Sequence, residues 1–402
     1  MQKRIRNEIP AHCGAIGLVL VSLMGLLGCR PTTAVAQVRT AGEPDLTIGA
    51  AQFPEDDAII LRWEQHWTLD ADGTVHRRDH RWMKLLNSRP IRRYGDPRIA
   101  HVKDGEKLII HQAQSILPDG TVLPVPDYSF NEAANDAVSG WPEYSNWQDM
   151  IVSYSGIQPG VVLELDYEIV TPSGVISWIE GDLRLNETYP TVERVVTVTV
   201  PTRTALHFRF DRADAMKASL KESTDGGSKT YRWSGGNLAG DRNEPGSLPW
   251  SLRSGRLRFS TCPSTAHWVA ALTDRVERSA VVNDAITRVA EKAIEHETDS
   301  AEKTRKLAEK IRESFNFVND AKALRGLACR SAADVCRTNY GNMLESAAFL
   351  LAAVRALGLE AAVLIGVDAD RWGDGDSVSP GLAGFAGAVV RVESSEGVLF
   401  FH

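Results

Sequence analysis

The chain predicts an α+β fold in two parts, an N-terminal antiparallel β-sandwich followed by a domain that packs helices on an antiparallel sheet. Three observations carry this expectation. From about Asp57 to Phe210, strand-like runs alternate with turn signals; from about Ala266 the apolar residues recur at helical spacing; and a capped apolar helix over 342–358 precedes two short apolar runs. At 402 residues with 43% hydrophobic content, the chain has enough apolar material to bury a sizeable core.

The N-terminus carries Lys3, Arg4 and Arg6, an apolar run from Ala15 to Leu27, and then Leu26-Leu27-Gly28-Cys29. The run is too short for a typical membrane span and ends at a small-residue cleavage site. It resembles a bacterial lipoprotein signal over residues 1–28, in which Cys29 becomes the lipidated first residue. Ala34-Val35-Ala36 offers a second reading, an ordinary signal-peptidase site that releases a soluble protein starting at Gln37. Both export the chain, the first to a lipid anchor in the bacterial cell envelope, the second to the periplasm or the medium. Loss of 1–28 removes Lys3, Arg4, Arg6 and Glu8, leaving 42 basic and 51 acidic residues and a net charge of −9. No basic cluster survives that favours nucleic acid.

After a linker over 29–50, the β-rich part is expected over 51–262. Ile59 to Leu69, the turn Asp70-Ala71-Asp72-Gly73 and Thr74 to Leu86 read as a hairpin, and Pro118-Asp119-Gly120 marks another tight turn. Gly156 to Gly160 introduces the alternating strand Val161 to Ile169, and Val192 to Val200 closes at Pro201. Such spacing predicts a sandwich. Residues 211–262 are rich in Gly, Ser and charge, with Tyr231-Arg232-Trp233 as a further strand.

The second domain is expected over 263–402. Trp268, Leu272 and Val276, then Val281 to Ile294, define one or two helices, and Asp299 with Glu302 caps another that buries Leu307, Ile311 and Phe315. Asn342 is a good N-cap, Glu345 three residues later its capping-box partner, Phe349, Leu350, Ala353 and Leu357 an apolar stripe, and Gly358 the left-handed stop. Glu360 to Val367 and Gly387 to Val392 read as strands against which this helix packs.

Tyr340-Gly341-Asn342-Met343-Leu344-Glu345 and the Leu-Arg-Ala-x-Gly-like end at Gly358 resemble the nucleophile-bearing helix of the transglutaminase-like, papain-type superfamily. Members read roughly Y-G-D-C-K-D-K-A there, so the resemblance puts Met343 on the catalytic cysteine. A cysteine at that first turn has its thiolate stabilised by the helix N-terminus; a thioether has no ionisable proton and forms no acyl-enzyme. The family histidine, in segments like F-N-H-A-I-V, falls on Gly387 within Phe385 to Val390, and the aspartate that ends a following strand falls on His402. The resemblance thus implies three altered catalytic positions, Met343, Gly387 and His402. The domain is expected to be incomplete at its C-terminus, since the chain stops inside the last strand. Upstream, Pro118 to Gly120, Gly156 to Tyr167 and Val198 to Pro201 resemble the P-D-G turn, G-x-x-x-G-x-x-[IL]-E-x-x-Y strand and V-x-V-P strand end of the DUF3857 domain, which implies fold but no chemistry.

Of five cysteines, Cys13 leaves with the signal and Cys29 is the anchor, while Cys262, Cys329 and Cys336 remain. Cys329 and Cys336 are placed to close a small disulfide loop, or Cys336 replaces the lost nucleophile; their spacing matches no metal pattern, and no metal or cofactor is expected. Trp141, Trp147 and Trp178 are read as core anchors, with stacking on envelope sugars as the alternative. Asp368-Ala369-Asp370 with Asp374-Gly375-Asp376 reads as a solvated acidic loop, because Trp372 breaks the ligand alternation of a calcium loop. The expected function is a non-catalytic envelope lipoprotein whose degenerate transglutaminase-like domain serves as a binding or assembly module for an envelope protein or peptide. The alternative is a cysteine acyltransferase or peptidase with a relocated nucleophile.

Overall fold

The computed structural model describes residues 42–174, 178–318, 329–372 and 378–401, with the side chains of Asp370 and Arg371 left out. Cys29, His402, Asp374 and Asp376 lie outside the described residues.

The β-rich part is organised on one eight-stranded sheet. Its order is Lys221–Asp225, Ser228–Leu238, Thr191–Pro201, Ala58–Leu69, Val75–Leu85, Val162–Thr171, Lys107–Ile116 and Val122–Pro124. The first hairpin forms where the turn chemistry puts it: Thr74 N–H donates to the Asp72 carboxylate at 2.8 Å, and Gly73 takes φ +91°. Gly120, at φ +88°, likewise closes the turn between Lys107–Ile116 and Val122–Pro124.

Two three-stranded sheets lie against this large sheet, so the N-terminal part is a multi-sheet β region. Arg98–Val102, Trp147–Val152 and Phe130–Ala134 form one; His207–Asp211, Arg256–Ser260 and Glu180–Arg184 form the other. The first shares a core of Ile60, Met83, Leu163 and Leu165 with Ile99 and Val152, and the second a core of Trp67, Val196, Val198 and Trp233 with Leu257 and Phe259. The large sheet is also not wholly antiparallel. Ala58–Leu69 and Thr191–Pro201 run parallel, with Trp63 opposite Arg194 and Trp67 opposite Val198. The long excursion between these two strands carries eight further strands of the domain, which is what permits a parallel pair.

The second part is helical with a small antiparallel sheet. Helices Thr265–Ser279, Asp284–Ile294 and Ser300–Ser314 start at Ser264, Asn283 and Asp299, each of which accepts from a first-turn backbone N–H. They surround the central helix Met343–Ala356, of which ten residues are buried. That helix packs on the sheet Ala361–Val367, Phe385–Ser394 and Gly397–Phe401, whose order places the middle segment between its neighbours. Its C-terminus is the Schellman closure expected of Gly358: φ is +75°, Gly358 N–H donates to Arg355 O, and Leu359 N–H to Val354 O. Pro44–His402 forms one compact unit. No described helix is long and apolar enough to cross a membrane.

Candidate functional site

The start of the central helix is fixed by its own sequence. The Asn342 side chain accepts from Leu344 N–H at 3.0 Å and Glu345 N–H at 3.1 Å, and the Glu345 carboxylate accepts from Asn342 N–H at 3.2 Å. This reciprocal box satisfies helix donors that otherwise lack partners and contributes about 1 kcal/mol. Met343 is therefore held as the first helical residue. Directly across from it, on Phe385–Ser394, stands Gly387: a Cβ built there lies 4.0 Å from Met343 Sδ, an ordinary van der Waals contact. The two positions read from sequence as cysteine and histidine equivalents are thus brought face to face. Gly387 has φ +156°, a value L side chains rarely adopt, so a side chain there has room but costs backbone strain.

Met343 and Gly387 line a cleft of about 710 Å³, together with Ile311, Phe315 and Phe401 and the guanidinium-bearing Arg305 and Arg312. Arg305 is engaged by Glu302 at 3.3 Å and by Glu396, whereas the Arg312 side chain has no ion pair among the described residues. The lining holds no cysteine and no histidine; its one hydroxyl, Ser346 Oγ, donates to Asn342 O at 2.8 Å, and its one carboxylate is that of Glu309.

The described cysteines do not supply one. Cys262, Cys329 and Cys336 are free thiols, so the Cys329–Cys336 loop is not closed. The reason is local: Ser331 caps a helix at Ala332–Thr338 that carries Cys336, while the backbone of Cys329 is held back on Thr265–Ser279, its carbonyl accepting from Ser279 Oγ at 2.9 Å. Burial pushes all three thiols upward, Cys329 to about 11. An activated thiol requires the opposite shift.

A second, polar cluster lies immediately behind the Met343 turn and joins the two parts of the chain. Glu345 is 1% exposed, yet its carboxylate accepts from Arg330 Nε at 3.1 Å, Arg330 Nη2 at 2.9 Å, Arg330 N–H at 3.1 Å and the Tyr144 hydroxyl. The Arg330 guanidinium sits 5.1 Å from the Tyr144 ring and 4.9 Å from the Tyr340 ring, and donates to Tyr340 O at 2.7 Å. Tyr340 in turn accepts from Glu143 N–H at 2.9 Å through its hydroxyl. Burial, then the adjacent Glu345 charge, push the Tyr144 hydroxyl pKa up; burial works against the Arg330 charge, but the Glu345 bonds and charge outweigh it and raise its pKa. Sequence reasoning saw Glu345 only as a capping residue and missed Arg330 and Tyr144. Tyr144 lies 201 positions from Glu345, and no periodicity links them.

The tryptophans are anchors. Trp147 and Trp178 are buried, and Trp141 packs on Tyr340 at 4.9 Å. Among the described residues no cluster of His, Cys, Asp and Glu has the arrangement to hold a metal ion.

Comparison with known proteins agrees with this layout. A family profile described as a domain of unknown function with a solved structure, DUF3857, matches residues 71–241, and one for the transglutaminase-like superfamily matches residues 287–394. The crystal structure of a candidate protease from Parabacteroides distasonis is similar to 86% of this chain and 67% of its own, at 25% identity and TM-score 0.74. A candidate cysteine protease from Cytophaga hutchinsonii matches 56% of this chain and 78% of its own at 11% identity and TM-score 0.25. No curated protein matches the chain.

Proposed function

Because the chain carries a DUF3857 domain over residues 71–241 followed by a transglutaminase-like domain over residues 287–394, we propose that it is a non-catalytic cell-envelope lipoprotein, anchored through Cys29, whose transglutaminase-like cleft binds a peptide segment of an envelope partner without cutting it. The observation that carries this reading is the facing pair of Met343 and Gly387 in the cleft. Acyl transfer at such a site needs a thiolate to attack a carbonyl and a base to carry the proton to the leaving amine. Met343 and Gly387 provide neither. The raised thiols of Cys262, Cys329 and Cys336 support the same conclusion, since none is poised to act as a relocated nucleophile.

What remains of the site is a binding shape. The similar structure from Parabacteroides distasonis is described as a candidate protease, and a peptide is the ligand class that carries over to this chain. Apolar side chains of such a segment fit against Ile311, Phe315 and Phe401, and the Arg312 guanidinium is available to a carboxylate.

The test is an activity assay paired with thiol labelling. The purified protein is expected to hydrolyse no fluorogenic peptide amide and to transfer no acyl group to an added amine, and iodoacetamide is expected to modify Cys336 and Cys262 no faster than an ordinary thiol. Amide turnover together with rapid, stoichiometric modification of Cys336 overturns the reading in favour of a cysteine enzyme with a moved nucleophile.

A further inference from the structure

The DUF3857 part holds a second concavity that the Met343 cleft does not use. It encloses about 590 Å³ and is bounded by the turn carrying Arg93, the strand Glu180–Arg184 and the segment from Arg242 to Arg253. Four guanidiniums line it, those of Arg93, Arg184, Arg242 and Arg253, against one lining carboxylate, Asp57, which is itself paired with Arg89 at 3.2 Å. Tyr189 and Trp250 supply aromatic surface. On a chain with net charge −7, this is a concentration of positive charge against the overall sign.

The arginines are placed by the protein before any ligand arrives. Arg184 and Arg253 converge on Asp241, the former at 2.8 Å, and Arg253 Nε donates to Leu248 O at 2.9 Å. Arg242 Nη2 donates to Glu55 O at 2.6 Å and to Asp56 at 2.9 Å. These contacts fix the guanidinium planes and leave donor capacity over. Arg184 Nε is buried with no hydrogen-bond partner, and the Arg93 guanidinium has no hydrogen bond or ion pair among the described residues, resting only over the Tyr94 ring at 5.4 Å. A buried donor without a partner costs about 1–3 kcal/mol, which an anion removes on binding. Tyr189 and Trp250 each have one side engaged, by Tyr94 at 5.9 Å and by Arg256 at 5.7 Å, and both remain half-buried at the cavity wall. The Thr188 hydroxyl and Asn243 amide lie in the same wall and suit ligand hydroxyls.

We propose that this pocket binds an anionic hexose, with its phosphate or carboxylate on Arg93 and Arg184 and its ring against Tyr189 and Trp250. Guanidinium forks match both oxyanions, and aromatic faces take the apolar side of a sugar ring. The volume is in the range of small-molecule sites.

Calorimetric titration of the purified protein with glucose 6-phosphate, glucuronate, glucose and inorganic phosphate tests this. At least one anionic hexose is expected to bind saturably, about tenfold or more tighter than glucose and than inorganic phosphate. Arg93→Ala removes a group with no internal ion pair, so its melting temperature should match the wild type while its affinity for that hexose falls about fivefold or more. The proposal is overturned if neither anionic hexose saturates below about 10 mM, if inorganic phosphate binds as tightly as the hexose, or if folded Arg93→Ala binds like the wild type.

Discussion

Arg330 and Glu345 form a two-point ion pair, Nε to Oε1 at 3.1 Å and Nη2 to Oε2 at 2.9 Å, with the carboxylate 1% exposed. Removing these charges from water is costly, and the geometry offsets that cost with further donors to the carboxylate, Arg330 N–H, Asn342 N–H and the Tyr144 hydroxyl. The Tyr144 hydroxyl comes from the DUF3857 domain and the rest from the transglutaminase-like domain. The pair therefore does two things. It sets the first turn of the Met343 helix, and it ties that turn to the preceding domain.

Glu345→Gln leaves the Arg330 guanidinium buried without its counter-charge and should destabilise the protein by about 3 kcal/mol or more. Tyr144→Phe removes one bond to a charged group and leaves the ion pair intact, so a smaller loss, about 2 kcal/mol, is expected. Urea unfolding of both variants checks the order. A Tyr144→Phe loss equal to that of Glu345→Gln would place the energy in the domain contact rather than in the charge pair.

Stability should also depend on pH through His76. Its Nδ1 lies 2.6 Å from Glu168 and its Nε2 3.0 Å from Asp70, so both ring nitrogens face carboxylates. Glu168 is shared with His111 at 2.9 Å, and the nearby Arg78 is occupied by Asp166. Burial opposes the imidazolium, but the bonds to Glu168 and Asp70 raise the His76 pKa above 6.5. For Glu168, burial raises and the two histidines more than offset it, so its pKa falls below 4.5. A raised histidine contributes fully below its unfolded value and loses that contribution as pH rises through the folded one; a depressed carboxylate contributes above its unfolded value and loses it on acidification. The pair is at full strength between about pH 4.5 and 6.5. The melting-temperature gap between wild type and His76→Gln should be larger at about pH 6 than at about pH 9. A gap that does not change with pH removes the charge argument.

The anchor prediction rests on Leu26-Leu27-Gly28-Cys29 alone. Metabolic labelling with a fatty acid should mark the wild-type protein and not Cys29→Ser. A processed, unlabelled wild type that begins at Gln37 would replace the lipid anchor by a soluble exported protein.

Much of this architecture was legible because it is local. The hairpin at Asp70 to Thr74, the Asn342–Glu345 box and the Gly358 stop are each decided by residues within six positions of one another, and each forms as its sequence dictates. What escaped is long-range. Arg256–Ser260 was passed over as part of a polar stretch, yet all five of its residues are buried, because Arg256 pairs with Asp182 at 2.6 Å, Arg258 with Asp211 at 3.1 Å, and both guanidiniums lie within 5 Å of the Trp372 ring. Alternation cannot distinguish a solvated arginine from one neutralised by a distant strand. The parallel pairing of Ala58–Leu69 with Thr191–Pro201 escaped for the same reason, since register between strands over a hundred residues apart leaves no local mark.

The proposed loss of catalytic groups at Met343 and Gly387 can be tested by restoring them. Met343→Leu exchanges one apolar side chain for another of similar volume and should cost about 1 kcal/mol or less, which shows the position to be packing rather than chemistry. Met343→Cys places a thiol on the N-terminal turn, where the positive end of the helix dipole favours the thiolate, so its reaction with iodoacetamide should be faster than that of Cys336. Amide hydrolysis should still be absent, because Gly387 has no proton to give the leaving amine. The double variant Met343→Cys with Gly387→His supplies both groups at positions that already face each other, with the built Cβ of residue 387 at van der Waals distance from the side chain at 343. Its weakness is the backbone: at φ +156° the histidine has space but must pull its strand toward an ordinary extended conformation, at a cost of about 1–3 kcal/mol. A lower melting temperature with measurable, thiol-dependent amide turnover is the expected result. Turnover by Met343→Cys alone would mean that another residue already serves as the base, and that the wild-type cleft lacks only its nucleophile.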